Sequence, residues 1–116
     1  MREYIAGCRA EAAELLAKEG VNVEVIDLRS LVPMDKEAIL KSVEKTSRLV
    51  VVSEACKRGG VAGDIAAMVM EEAFDNLDAP VVRVAGKNTT IPFNLALEKV
   101  AVPSVEDILN GVRSIF

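Results

Sequence analysis

The sequence contains no histidine and only two cysteines, and these shortages argue against a metal centre and against histidine-dependent catalysis. Cys8 and Cys56 lie far apart and form no CxxC pair. We interpret each as a small apolar residue at the edge of its element, rather than as a disulfide partner or a reactive thiol. The chain also lacks a GxSxG elbow, a Walker-type phosphate loop and a GxGxxG turn. The sequence therefore predicts no catalytic residue, no cofactor-binding residue and no metal ligand.

The sequence has neither a large excess of one charge nor a long apolar run. The formal net charge is −4, and no run of lysine and arginine could neutralise a row of phosphates, so we expect no nucleic-acid partner. Apolar runs such as residues 49–52 are far too short to cross a bilayer. Arg2 and Glu3 stand where a signal peptide needs apolar residues. We therefore expect a cytoplasmic protein with no membrane partner.

Aromatic residues are few, with three phenylalanines, one tyrosine and no tryptophan. Half of the 116 residues are nevertheless apolar, so the core must consist of aliphatic side chains. Such a core is typical of helices packed on a sheet, and a chain of this length has room for one domain.

Helical spacing is clear near the start of the chain, in the apolar residues Ile5, Cys8, Ala12, Leu15 and Leu16. Gly20 follows at the position of a helix C-cap. Residues 21–28 then alternate between apolar and polar before an apolar pair, which predicts a strand. Asp35 is a good N-cap for a second helix that ends near Thr46.

In the second half of the chain, predicted strands and helices continue to alternate. Residues 49–52 form a continuous β-branched run, typical of a central strand covered on both faces. Gly59 and Gly60 precede a long helix, and residues 81–84 form a third strand. Residues 92–100 predict a short helical piece. Ser104 caps the last helix. The residues expected to face inward from the long helix are Ile65, Met68, Val69 and Phe74.

The predicted order is helix, strand, helix, strand, helix, strand, helix. Right-handed crossovers then give an α/β three-layer sandwich with a mainly parallel sheet, formed as one domain by residues 1–116. An α/β unit normally begins with a strand, whereas here the first helix has no strand before it. We therefore infer that the first strand of the fold is missing from this sequence.

Three places in this fold invite a functional interpretation. Gly59 and Gly60 lie between a buried strand and a helix N-terminus, where α/β proteins often bind an anion, although the turn itself also needs glycine. Glu54 ends the central strand, where an interface or capping role is favoured over that of a catalytic acid. Arg29 and its apolar neighbour Leu31 resemble a docking surface.

Several stretches in fixed order carry a family resemblance. They are VIDLRSLVPMD (25–35), SVEKTSRLVVVSEA (42–55), Gly59-Gly60, LDAPVVRV (77–84) and IPF (91–93). The chain resembles, over essentially its whole length, the transketolase C-terminal domain of the E1 β chain of thiamine-dependent 2-oxoacid dehydrogenases. AGKN (85–88), IPFN (91–94) and AVP (101–103) are more similar to acetoin or pyruvate dehydrogenases than to the branched-chain enzymes.

The resemblance implies that cofactor binding and subunit contacts belong to different domains. In this family thiamine diphosphate and Mg²⁺ are held between the E1 α chain and the N-terminal domain of β, which has no counterpart here. The family's C-terminal domain is implicated in contact with a second β chain and in docking the subunit-binding domain of the E2 acyltransferase. Candidate residues are Arg29, Leu31 and Glu54 for a subunit interface, and Asp107 and the terminal carboxylate of Phe116 for E2 docking.

We therefore expect the isolated chain to be inactive and to serve assembly. Two alternatives stay open. One is a free-standing small-anion-binding or regulatory module that uses the turn at Gly59 and Gly60. The other is the related domain of a 2-oxoacid ferredoxin oxidoreductase, although the stretches at residues 27–29 and 77–80 are more similar to those of the dehydrogenases.

Overall fold

The structure is a computed structural model that describes the backbone of residues 2–116 and the side chains of residues 8–116. Five helices and two strands follow one another along the described chain, in the order α1 (Arg2–Lys18), α2 (Lys36–Thr46), β1 (Val50–Cys56), α3 (Val61–Ala73), β2 (Val82–Gly86), α4 (Leu95–Ala101) and α5 (Val105–Arg113). A short 3₁₀ turn, Phe74–Asn76, follows α3.

Local signals set the ends of the first two helices. Gly20 adopts φ +83° after α1, and the N–H of Val21 donates to the carbonyl of Leu16 at 2.9 Å. This left-handed position favours glycine. The Asp35 side chain accepts a hydrogen bond from the N–H of Ala38 at 3.1 Å and so caps α2. Both predicted helix ends are confirmed.

Strands β1 and β2 form a parallel pair, the only strand pair among the described residues. Val50 lies opposite Val82, and the register runs evenly to Ser53 opposite Ala85. An irregularity then shifts the register before Cys56. The crossover through α3 links the two strands and requires them to run in the same direction.

Helices cover the sheet on both sides, each side with its own apolar core. The first core joins α1 and α5 to β2, and consists of Cys8, Ala12, Leu16, Val84, Ile108, Leu109 and Val112. The second core joins α2 and α3, and consists of Ile39, Val43, Ile65, Met68, Val69 and Ala73. These two cores confirm the predicted α/β three-layer sandwich. No helix in the described part of the chain is long and apolar enough to cross a membrane.

Three sequence expectations are wrong or only partly met. Residues 21–28 form no strand, because no neighbouring strand among the described residues supplies hydrogen bonds. Phe74 is 61 % exposed, because α3 ends at Ala73 and the chain tightens into the 3₁₀ turn there. Strand β1 is only partly buried rather than fully covered. The side chain of Ile5 lies outside the described residues.

Candidate functional site

The turn between β1 and α3 is shaped by its two glycines. Gly59 adopts φ +68°, which side chains other than glycine rarely tolerate. A Cβ atom added to Gly60 would lie 2.5 Å from the carbonyl oxygen of Cys56. The N–H of Arg58 donates to the side chain of Asn88 at 2.9 Å. Backbone geometry therefore accounts for both glycines, and anion binding at Gly59 and Gly60 stays a prediction.

A shallow depression of about 320 Å³ lies beside β2. Its basic lining residues are Lys57, Arg83 and Lys87, and Asp107 is the acidic one. The Arg83 guanidinium donates to the backbone carbonyl of Lys57 at 3.1 Å, which fixes it along the wall. Three basic side chains against one acidic one make the depression more favourable for anions than for cations.

Thiamine diphosphate needs a bound divalent cation, and the described side chains form no group of His, Cys, Asp or Glu ligands for one. The diphosphate of such a cofactor is held through a divalent cation, which needs several oxygen ligands. Across residues 8–116, no three side chains of the His, Cys, Asp or Glu type converge. Cys8 is buried, as predicted, and the Cys56 thiol donates to the Thr89 carbonyl at 3.3 Å. We therefore assign no chemical step to these residues.

The three predicted interface residues lie in two places. Arg29 and Leu31 share the loop before α2. The Arg29 side chain is 86 % exposed, with its Nε 3.0 Å from a carboxylate oxygen of Asp27. Leu31 is about half exposed. Glu54 lies near the end of β1, and its Oε2 is buried without a partner among the described residues. No hydrogen bond or salt bridge in the described part of the chain joins Glu54 to the other two.

Both predicted docking residues have partners within the chain. The Asp107 carboxylate accepts hydrogen bonds from the N–H and the hydroxyl of Ser104, each at 2.9 Å, and Ser104 accepts in turn from the Asp107 N–H. This reciprocal pair is a capping box at the start of α5. The Phe116 ring lies under the Arg48 guanidinium, 4.4 Å from it. E2 docking at Asp107 and Phe116 stays a prediction.

The capping box gives Asp107 a measurable structural role. We expect Asp107→Ala to lower the free energy of unfolding by about 1 kcal/mol, because the Ser104 N–H and the start of α5 lose their acceptor. Urea denaturation followed by circular dichroism measures this change. Glu106→Ala is the matched control, since it removes a charge from the same helical turn and no capping bond. Equal losses in the two variants would show that charge alone matters.

A salt bridge joins the two helices of the first core at the surface. Arg113 of α5 donates two hydrogen bonds to the carboxylate of Glu19, just after α1. These bonds lower the pKa of Glu19 below its ordinary value and raise that of Arg113. Because the pKa of Glu19 is depressed on folding, the pair stabilises the fold above the ordinary pKa of a glutamate. This stabilisation is lost as the pH falls through the lowered pKa of Glu19.

An exposed apolar patch lies on α4 and the loop before it. Its members, called the apolar patch below, are Ile91, Phe93, Leu95, Leu97 and Val100. The Phe93 side chain is fully exposed, and α4 buries only Ala101. Sequence reasoning predicted a short helix here but no surface. The sequence does contain a signal for this surface, since apolar residues occupy every second position from 91 to 97. A helix buries residues three or four apart on one face, so it cannot bury all four of these side chains.

Comparison with known sequences gives three findings. Residues 8–108 match the family model described as "Transketolase, C-terminal domain". The chain is 48 % identical over 105 residues to "Pyruvate dehydrogenase E1 component subunit beta" of Rickettsia bellii, covering 90 % of this chain and 32 % of that protein. It is 49 % identical over 109 residues to "Pyruvate dehydrogenase E1 component subunit beta-1, mitochondrial" of Arabidopsis thaliana, covering 94 % and 30 %.

A solved structure shares the fold. "Split gene transketolase, inactive beta4 tetramer" superposes with a TM-score of 0.79 at 28 % sequence identity, over 96 % of this chain and 35 % of that one. The chain thus spans about a third of the length of the relatives and of the structure it matches.

Proposed function

Because the chain belongs to the transketolase C-terminal domain family, we propose that it is the assembly domain of an E1 β-type chain of a pyruvate dehydrogenase complex. The family and the fold class predicted from sequence are confirmed. Relatives at 48 % and 49 % identity are named pyruvate dehydrogenase subunits, which supports the pyruvate alternative over acetoin. We take residues 1–116 as one domain of that larger unit.

The proposed division of labour places the thiamine chemistry outside this chain. This placement is supported by the length of the matched relatives, which are about three times longer than this chain. The E1 α chain, a second β-type chain and the E2 acyltransferase are the proposed partners. The cytoplasmic location predicted from the sequence stays a prediction.

The observation that carries the assembly role is the apolar patch. Single exposed apolar residues are normal, but five within ten residues, including a fully exposed phenylalanine, mark an interaction surface. Burying each large side chain at a contact contributes about 1.5–3 kcal/mol. We propose a second β-type chain as the occupant, since the structure that shares this fold is titled a β4 tetramer. Arg29, Leu31 and Glu54 remain candidates for further contacts.

Sedimentation equilibrium of the purified chain tests this role. We expect self-association that weakens at least about tenfold in Phe93→Ser, because the contact then loses the full apolar area of the ring. Thermal unfolding of the Phe93→Ser protein, at a concentration where both proteins are monomeric, should be unchanged.

Phe74→Ser is the matched control, since Phe74 is also an exposed phenylalanine, at 61 %, and lies outside the apolar patch. Equal association constants for Phe93→Ser and the parent chain would contradict the role of the patch. Release of carbon dioxide from pyruvate by the chain alone, supplied with thiamine diphosphate and Mg²⁺, would contradict the assembly function as a whole.

A further inference from the structure

The depression beside β2 follows the outer edge of that strand. Four consecutive residues of β2, 82–85, line it. Successive side chains of a strand point to opposite faces of a sheet, so a depression that touches four in a row follows an edge rather than a face. The other edge of β2 pairs with β1. The depression therefore borders the edge of β2 that has no strand partner among the described residues.

The backbone groups on this outer edge belong to Arg83 and Ala85. The N–H of Val82 donates to the carbonyl of Leu49 at 3.1 Å, so the even-numbered residues of β2 face β1. The peptide groups of Arg83 and Ala85 then point outward. Beyond the ladder between the two strands, no backbone hydrogen bond in the described chain involves either residue. Such an edge offers alternating donors and acceptors, which match another peptide backbone better than a small anion.

The two faces of this edge differ in chemistry. The Arg83 side chain lies on the α3 face, where its guanidinium would be 3.4 Å from a Cβ added to Gly63 and donates to the Lys57 carbonyl at 3.1 Å. Val82 and Val84 lie on the opposite face, in and against the first core. A strand added to this edge therefore meets a cation on one face and apolar side chains on the other.

The charge of the lining determines which partner fits. Lys57 and Lys87 are exposed and add to the charge of Arg83. Asp107, the acidic residue of the lining, already accepts the hydrogen bonds of the capping box. A second copy of this chain would bring its own three cations against these, and like charges opposite one another destabilise a strand pair. The lining therefore favours an acidic partner over self-pairing.

We propose that the outer edge of β2 binds an extended segment of a partner protein in which acidic and apolar residues alternate. The backbone of this segment pairs with Arg83 and Ala85. Its acidic side chains lie on the α3 face with the Arg83 guanidinium, and its apolar side chains lie on the α5 face. Val100 is the only member of the apolar patch that lines the depression. Phe93 does not line it, and this inference does not rest on the proposed function.

Titration of the purified chain with a synthetic peptide tests the proposal. The probe has about eight residues, alternates glutamate with valine, and is blocked at both ends. We expect amide hydrogen exchange at Arg83 and Ala85 to slow at least about tenfold at saturating peptide, because both N–H groups gain acceptors. A peptide that alternates lysine with valine should bind at least about tenfold more weakly, because it meets three cations.

Two N-methylated forms of the probe separate backbone pairing from attraction of charge. One form is methylated on the glutamate nitrogens and the other on the valine nitrogens, and only one of these sets faces β2. We expect one form to bind at least about tenfold more weakly than the other. Equal affinities would overturn the proposal. Inorganic phosphate that slows exchange at Arg83 and Ala85 as strongly as the peptide does would also overturn it.

Lys87→Gln tests the charge of the lining, and we expect it to weaken binding of the probe about threefold. Lys99→Gln is the matched control, since Lys99 is an exposed lysine of α4 that does not line the depression. Equal weakening in the two variants would show that net charge alone governs binding and would refute the proposed site.

Two further measurements separate this site from self-association. Phe93→Ser should bind the probe as the parent chain does, so loss of the apolar patch as an interface leaves this test intact. Without peptide, exchange at Arg83 and Ala85 should not depend on protein concentration. Slower exchange in a more concentrated sample would assign the edge to a second copy of the chain and contradict the proposal.

Discussion

Replacing Gly86 with alanine is expected to lower the free energy of unfolding by about 3 kcal/mol. Gly86 ends β2, is buried, and lies opposite Cys56 in the sheet. An added Cβ would lie 2.5 Å from the carbonyl oxygen of Glu54 and 3.1 Å from that of Ala55. A third carbonyl oxygen, that of Ala101, lies at 3.3 Å. Because all three neighbours are backbone atoms, two in β1 and one at the end of α4, none moves without shifting its own element.

Gly63→Ala is the matched control. The only heavy atom near an added Cβ at Gly63 is the end of the flexible Arg83 side chain, at 3.4 Å. Gly63 lies within α3, where alanine is favoured over glycine by about 0.5–1 kcal/mol. Chemical denaturation should therefore show opposite signs for the two variants. A loss at Gly86 no larger than about 0.5 kcal/mol would show that the strand end relaxes freely.

Replacing Leu16 with alanine should cost about 3 kcal/mol, within the range of roughly 2–5 kcal/mol found for buried leucines. Leu16 is 1 % exposed and lies in the first core with Ala12, Ile108 and Leu109. Its side chain fills space that α1 and α5 share, so truncation leaves a cavity between two helices. The midpoint of urea unfolding measures the loss.

Lys18→Ala, in the last turn of the same helix, provides the comparison. Lys18 is exposed and contributes only a favourable charge near the helix end, so its removal should change stability by less than about 0.5 kcal/mol. If Leu16→Ala and Lys18→Ala lowered the free energy of unfolding equally, α1 would contribute little to the cooperative fold. Such a result would also contradict the first core as described.

Features that depend on neighbouring residues in sequence could be predicted. The caps Asp35 and Ser104 accept hydrogen bonds from N–H groups three residues ahead, so a few letters of sequence contain the whole interaction. Gly20 likewise follows its helix directly. The α/β class then follows from the order of elements, because right-handed crossovers allow few arrangements.

Features that depend on distant partners could not be predicted. The alternation in residues 21–28 is real in the structure, yet a strand needs a hydrogen-bonded neighbour, and a local pattern does not contain one. The exposure of Phe93 likewise depends on what packs beside α4, not on its own sequence. For the candidate site, sequence alone placed Glu54 near a strand end but could not show its unpartnered oxygen.

The pairing of α1 with α5 has a consequence for synthesis on the ribosome. The bridge between Glu19 and Arg113 spans 94 residues, and α1 makes its main helix contacts with α5. Ribosomes add roughly 5–20 residues per second, so about 5–20 seconds pass between the synthesis of α1 and that of α5. The apolar face of α1 stays exposed until α5 is made. During that interval Cys8, Ala12 and Leu16 are available to other nascent chains and to chaperones. Helix α1 is thus synthesised before the other described helices and is among the last of them to be buried.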